Sequence, residues 1–116
     1  MTAAQDTLPR RFWQWAGERA ATTMLRQKEL GIWQPCSWQQ ASEVVGDVAA
    51  GLVALGVQPG ESVGILANTS KQWVFADLGA QTAGAVVSGL HPSDSGTQVQ
   101  ALCRDAGVRV LFVIVL

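Results

Sequence analysis

From residue 37 onward, apolar residues alternate between helical spacing and short unbroken runs. The segment SWQQ at 37–40 matches a capping box, in which a serine hydroxyl and a glutamine side chain satisfy the first free amides of a helix. The spacing that follows predicts a helix over 38–55. We expect Gly56 to end this helix in a left-handed conformation and Pro59-Gly60 to form a turn. The predicted buried stripe comprises Ala41, Val44, Val45, Val48, Ala49, Leu52 and Leu55.

Three short apolar runs, 63–67, 85–89 and 108–115, predict strands separated by helices. The first intervening helix spans about 70–83, is capped by Asn68, Thr69 or Ser70, and ends at Gly84. The second ends at Gly107, and Asp94 starts a turn or caps this helix. Its apolar stripe comprises Val99, Leu102, Cys103 and Ala106. Continuously apolar strands indicate burial on both faces, as in a parallel sheet with right-handed crossovers. The predicted fold class is therefore α/β, a three-layer, mainly parallel sheet with flanking helices, doubly wound or closely related.

The segment before residue 38 predicts a lead-in of one helix and a β-hairpin, at 9–37. A helix over 9–20 would place Phe12, Trp13, Ala16 and Ala20 on one face, with Trp15 at its edge. Segments 23–28 and 32–37 favour a hairpin with its turn at 29–31. An alternative is that 18–30 continues the helix. The remainder, 38–116, forms the βα repeat region of what we interpret as one incomplete domain, 1–116.

Composition narrows the possible classes of function. The chain has 116 residues, 48% of them apolar and 15% charged, with a formal net charge of −1. This balance predicts no general attraction to nucleic acid or anionic lipid. No secretory signal is recognisable, and the longest apolar run, 110–116, is too short for a transmembrane segment. We therefore expect a cytoplasmic protein. The same run, uncharged and rich in β-formers, predicts self-association through the C-terminal strand.

Few side chains indicate a catalytic, ligand-binding or metal-binding role. Cys36 and Cys103 stand alone, which argues against a zinc site; we expect buried free thiols, although a disulfide between them stays open. His91 follows a predicted strand, where α/β folds place ligands, but a structural or solvated histidine is the favoured interpretation. The glycines at 56, 60 and 64 match no phosphate-binding loop. No catalytic, cofactor-binding or metal residue is therefore predicted. We expect core or buried-interface positions for Trp13, Trp15, Trp33, Trp38 and Trp73.

An ordered set of segments between 31 and 113 resembles the AMP-forming acyl-CoA synthetases of the adenylate-forming superfamily. The segments are GIWQ at 31–34 with SW at 37–38, AGLVALGVQPGESVGIL at 50–66, NTSKQW at 68–73, AGAV at 83–86 and DAGVRVLFV at 105–113. The first of these is most similar to long-chain fatty acid-CoA ligases. Departures from the family pattern occur at Ala67, at 70–72 and at His91, none of them a catalytic position of the family.

The resemblance implies an enzyme that activates a carboxylic, fatty acid with ATP and Mg²⁺ as an acyl-adenylate and transfers it to CoA. It also implies a phosphate loop, an adenine-contacting stretch, a ribose-binding aspartate and a catalytic lysine, none of which this sequence contains. We therefore expect an N-terminal fragment, inactive alone, whose partner is the remainder of the synthetase. Two alternatives stay open, a stand-alone Rossmann-like binding or interaction module and a non-functional truncated product.

Overall fold

The computed structural model describes residues 7–114, which form four helices and five strands. In chain order the elements are α1 Leu8–Glu18, β1 Thr23–Glu29, β2 Ile32–Ser37, α2 Trp38–Ala54, β3 Ser62–Leu66, α3 Lys71–Thr82, β4 Val86–Leu90, α4 Gly96–Ala106 and β5 Val108–Val113. Strands β1 and β2 pair antiparallel, so the predicted hairpin is confirmed and the alternative of a helix through 18–30 is wrong. The last predicted strand position, residue 115, lies outside the described residues.

The other strands form a parallel sheet in the order β4-β3-β5. Ile65 of the central strand β3 pairs with Gly89 on one side and Phe112 on the other. Strand β3 pairs with β4, the next strand in the chain, and also with β5, the strand after that. All three strands are parallel, so a helical crossover connects each strand to the next. The predicted α/β class, with a parallel sheet and flanking helices, is confirmed.

Serine side chains begin three of the four described helices. Ser37 and Ser95 each form a full capping box, with Gln40 and Gln98 respectively. Ser70 caps α3, as one of the three predicted candidates. The expectation that Asp94 caps α4 is wrong, because the adjacent Ser95 occupies the cap position. The N-cap residues of the four helices are Thr7, Ser37, Ser70 and Ser95.

The core lies between the sheet and the pair α2 and α3. Leu52, Val63 and Ile65 are among the largest fully buried side chains. Aromatic contacts attach α1 to the start of α2, since the ring of Trp38 lies 6.0 Å from that of Phe12 and 5.8 Å from that of Trp15. Phe12 and Ala16 form the buried face of α1. The predicted face also included Ala20, but the helix ends at Glu18 and Ala20 lies beyond it.

Several residues expected in the core are exposed. Val44 and Leu55 lie at the margins of the α2 stripe and are 42% and 66% exposed, and Trp33 is 62% exposed on the hairpin. Trp13 is 38% exposed, although its indole nitrogen donates to the Thr82 hydroxyl at 3.0 Å. Helix α4 buries no residue. Spacing identifies an apolar stripe, but burial also requires a covering element, which the described residues do not supply at these margins.

The expectation of burial on both faces holds only for the central strand. Three consecutive residues of β3, Val63, Gly64 and Ile65, are buried. In contrast, β4 exposes Val86 and Gly89, and β5 exposes Arg109 and Val113. For these two edge strands the prediction is wrong, because an unbroken apolar run does not reveal whether its strand lies in the middle or at the edge of the sheet.

Candidate functional site

A crevice of about 380 Å³ opens where β3 and β4 end. Parallel α/β sheets commonly bind ligands at this edge, outside the carboxyl ends of the strands. The loops after the two strands line it, together with Trp73 of α3. The lining residues are Ala67, Asn68, Thr69, Trp73, Gly89, Leu90, His91, Pro92 and Asp94.

The loop over 91–94 is held together by its own hydrogen bonds. The His91 backbone N–H donates to Asp94 Oδ2 at 3.2 Å, and the Asp94 N–H donates to the His91 carbonyl at 2.9 Å. The Ser93 hydroxyl lies 2.9 Å from His91 Nδ1. These contacts close a turn that begins at His91 and ends at Asp94, so the expectation that Asp94 starts a turn is wrong. Its carboxylate instead accepts from the backbone three residues earlier. His91 is exposed, which agrees with the structural or solvated interpretation of this residue.

The crevice is poorly suited to nucleotide phosphates or Mg²⁺. Asp94 and His91 are its titratable lining residues, and the lining contains neither lysine nor arginine. Phosphate sites usually combine backbone amides with a cation, whereas Mg²⁺ usually takes carboxylates together with substrate phosphates. Within 7–114, no group of three His, Cys, Asp or Glu side chains is placed to hold a metal ion. We therefore assign no step of a nucleotide-dependent reaction to these residues.

A polar cluster joins the hairpin to the start of α3. Lys71 Nζ lies 2.5 Å from Glu29 Oε1, and the Lys71 backbone N–H donates to Gln27 Oε1 at 2.7 Å. Burial raises the pKa of the neighbouring Cys36 thiol, while the Lys71 charge acts in the opposite direction. The contacts fix the inner face of the hairpin against the domain. A raised pKa leaves less of the Cys36 thiol as the nucleophilic thiolate near neutral pH.

The two cysteines are both free, as predicted, and no disulfide joins them. Both are half-buried rather than buried, which corrects the expected burial. Helical spacing predicts Cys103 on the apolar stripe of α4, but no residue of that helix is fully buried.

An apolar groove of about 420 Å³ runs between the C-terminal half of α2 and β5. Its walls contribute almost no polar surface, so it can hold an apolar segment but offers no catalytic group. The sequence did not reveal this groove, because it depends on which residues of α2 and β5 face each other in space. It is lined by Val48, Gly51, Leu52, Ala54, Leu55, Val110 and Phe112.

Within residues 7–114, none of the helices combines the length and the apolar character that crossing a lipid bilayer requires.

Comparison with protein families matches residues 12–115 to the AMP-binding enzymes. The long-chain-fatty-acid–CoA ligase ACSBG2 of Rattus norvegicus is 33% identical over 107 residues, or 92% of this chain and 16% of that protein. The long-chain-fatty-acid–CoA ligase FadD15 of Mycobacterium tuberculosis is 32% identical over 82 residues, or 71% of this chain and 14% of that protein. The chain thus spans less than a fifth of the length of these relatives.

Solved structures give the same fold. An anthranilate CoA ligase, AuaEII, in complex with anthranoyl-AMP superimposes with a TM-score of 0.84 and 27% identity over 97% of this chain and 22% of that chain. A fatty acyl-adenylate ligase from Legionella pneumophila, in complex with acyl adenylate and pyrophosphate, gives a TM-score of 0.86 and 18% identity over 93% of this chain and 20% of that chain. The chain therefore belongs to the AMP-binding enzyme family, with the α/β fold found in the N-terminal domain of adenylate-forming enzymes.

Proposed function

We propose that this chain is the first part of the AMP-binding domain of a long-chain-fatty-acid–CoA ligase. The observation that carries the proposal is the 33% identity to the ACSBG2 ligase across 92% of the chain. The whole protein would activate a fatty acid with ATP and Mg²⁺ as an acyl-adenylate, and CoA would then displace AMP. The proposed location is the cytoplasm.

In this proposal the 116 residues act as a scaffold. They contain capped helices and a three-stranded parallel sheet. The crevice at the carboxyl edge of the sheet has a lining without lysine or arginine. A rigid scaffold contributes to catalysis by holding reacting groups at fixed distances, even when it provides none of them. The isolated chain is therefore expected to catalyse neither the adenylation nor the thioester step.

Open apolar surfaces support the idea that further chain covers this scaffold. The groove between α2 and β5 exposes Leu55 on one wall and places Phe112 on the other. Strand β5 is the last strand of its sheet, so its outer backbone groups make no strand pairing among the described residues. An exposed edge beside an apolar groove is a favourable place for another strand or helix of the same protein.

The test is a chimaeric enzyme. The segment of rat ACSBG2 that matches this chain is replaced by the present sequence, and ATP-dependent acyl-CoA formation from a long-chain fatty acid is measured. We expect the chimaera to keep activity within about tenfold of the parent, because a scaffold affects the barrier only through small displacements. A folded chimaera without activity would contradict the proposal.

Two glycine substitutions provide matched controls in the chimaera. Gly79→Ala would place a methyl group against α2 and should lower both stability and activity, whereas Gly51→Ala lies where an added methyl group meets nothing within 4 Å and should lower neither. If both variants behaved alike, the segment would not be acting as the packed unit described above. A soluble, monomeric 116-residue chain that binds a specific ligand, together with an inactive chimaera, would instead favour the stand-alone module.

A further inference from the structure

The β1–β2 hairpin has two chemically distinct faces. In its antiparallel register Arg26 lies opposite Pro35, and Lys28 lies opposite Trp33, so these four side chains share one face. All four are exposed. The inner face instead carries Glu29, which pairs with Lys71 of α3. The outer face therefore combines two cations with an aromatic ring, and among the described residues neither cation forms an ion pair.

The tip of the hairpin is apolar. Leu30 is 102% exposed and has a φ of 50°, and the following Gly31 has a φ of 81°. Two consecutive positive φ angles define the tight turn that favours Asn-Gly or Asp-Gly. A leucine in this conformation is unfavourable for the backbone, and its full exposure is unfavourable for solvation. Folding therefore gives no reason for a leucine here. An unusual residue in a strained turn is a recognised indication of a functional contact.

We propose that the outer face and tip of this hairpin bind the surface of an anionic phospholipid membrane. Leu30, the fully exposed residue of the tip, would enter the boundary of the acyl chains. The Trp33 ring would lie at the level of the headgroups, where tryptophan is enriched. Arg26 and Lys28 would face the lipid phosphates, with their alkyl stems against the apolar surface.

The attraction is local, because the chain as a whole has a formal net charge of −1. Nucleic acid fits this face less well, since its binding usually involves many phosphate contacts and gains nothing from an aliphatic tip. An anionic phospholipid membrane can interact with both features, because its phosphates attract the cations and its acyl chains accept the apolar tip. The inference rests on the hairpin alone and does not depend on the proposed ligase activity.

The Leu30→Asn variant distinguishes a role of Leu30 in membrane binding from a role in folding. Asparagine tolerates the left-handed conformation better than leucine, so the melting temperature of the variant should rise or stay unchanged. Its binding to vesicles of phosphatidylcholine and phosphatidylserine, measured by flotation, should fall several-fold because the apolar tip is lost. Leu55→Asn, at another highly exposed leucine outside the hairpin, is the control and should not change vesicle binding.

The charge contribution is tested with Arg26→Gln and Lys28→Gln. Each should weaken vesicle binding by about fivefold, and added salt should weaken binding of the unmodified chain. Arg104→Gln, on α4, is the control and should have no such effect. Equal binding to vesicles of phosphatidylcholine alone would overturn the proposal, as would no vesicle binding or binding that the hairpin variants leave unchanged. Binding of a DNA oligonucleotide without vesicle binding would assign the two cations to nucleic acid and also overturn it.

Discussion

Gly79 sets how closely α2 and α3 approach each other. A Cβ atom at this position would lie 2.4 Å from Val48 Cγ1 and 3.2 Å from the Val45 carbonyl oxygen. The distance to Val48 is far below van der Waals contact, and the distance to the Val45 carbonyl, which belongs to the backbone of α2, is tight. The absence of a side chain at Gly79 therefore has a specific packing reason, which the sequence alone does not display.

Gly79→Ala should destabilise the fold by about 1–3 kcal/mol, the usual cost of overpacking a well-filled core. The sign of this stability change is informative, because replacing glycine with alanine within a helix normally stabilises a protein by about 1 kcal/mol. Gly51→Ala in α2 should show that normal gain, since no atom lies within 4 Å of the added methyl group. Urea unfolding measures both variants, and a stabilising Gly79→Ala would contradict the described helix contact.

Cys36 should react slowly with iodoacetamide in the native state. Burial raises its pKa, so less thiolate is present near neutral pH than for an ordinary cysteine. Lys71 counteracts this shift, and Lys71→Met should therefore raise the pKa further and slow alkylation again. The rate is measured against pH in a Cys103→Ser background, with the unfolded chain as reference. Faster alkylation after Lys71→Met would contradict the assigned effect of the lysine charge.

At the scale of elements, α2 presents one face to the core and another to solvent. Ala41, Val45, Ala49 and Leu52 are its buried residues, and Val53 is 60% exposed. Val48 lies at the margin, half-buried against the core and touching α3. The orientation of the helix is therefore fixed by a narrower stripe than the sequence predicts.

Val48→Asp should lower the free energy of unfolding by about 1–3 kcal/mol, because the carboxylate would lose water without gaining a partner. Val53→Asp is the matched control on the exposed side of the same helix and should change stability by less than about 0.5 kcal/mol. Thermal melts of the two variants compare the faces directly. An unchanged melting curve for Val48→Asp would refute the assigned orientation.

The sequence predicts these elements well wherever a local signal defines them. Serine caps and stop glycines encode the helix ends in neighbouring residues, and Ser37 and Gly107 illustrate this. The hairpin was less certain because its turn, Leu30-Gly31, lacks the usual asparagine. The exposed outer surfaces of β4 and β5 could not be predicted, since strand order depends on contacts between residues far apart in the chain.

The candidate site was predictable only by its location. His91 follows β4, and the crevice does lie beside it at the carboxyl edge of the sheet. The polar cluster of Lys71, Glu29 and Cys36 could not be foreseen, because the hairpin and α3 are separated by more than thirty residues. Neither could the basic outer face of the hairpin, whose cations look scattered until the strand register aligns them.

At the scale of the whole molecule, β5 forms an open edge of the parallel sheet. Its residues are largely apolar, Val113 is 56% exposed, and Arg109 contacts Glu61 at 3.4 Å. An uncovered strand of high β-propensity can pair with a second copy of the chain. We therefore expect the isolated chain to self-associate through β5.

Size-exclusion chromatography of the chain and of a Leu111→Lys, Val113→Lys double variant tests this expectation. The unmodified chain should elute as oligomers, and the two lysines should shift it toward monomer, because charges on an edge strand oppose pairing. The Arg104→Gln variant controls for a general change of surface charge. An unmodified chain that stays monomeric at high concentration would contradict self-association.

We propose that these residues form a scaffold of the AMP-binding fold and supply none of its catalytic groups. The most direct test measures ATP-dependent acyl-CoA formation from a long-chain fatty acid by the purified 116-residue chain, after circular dichroism has established that it is folded. The predicted result is no product above that of a heat-denatured sample. Acyl-CoA formation that follows the concentration of the folded chain would contradict the claim.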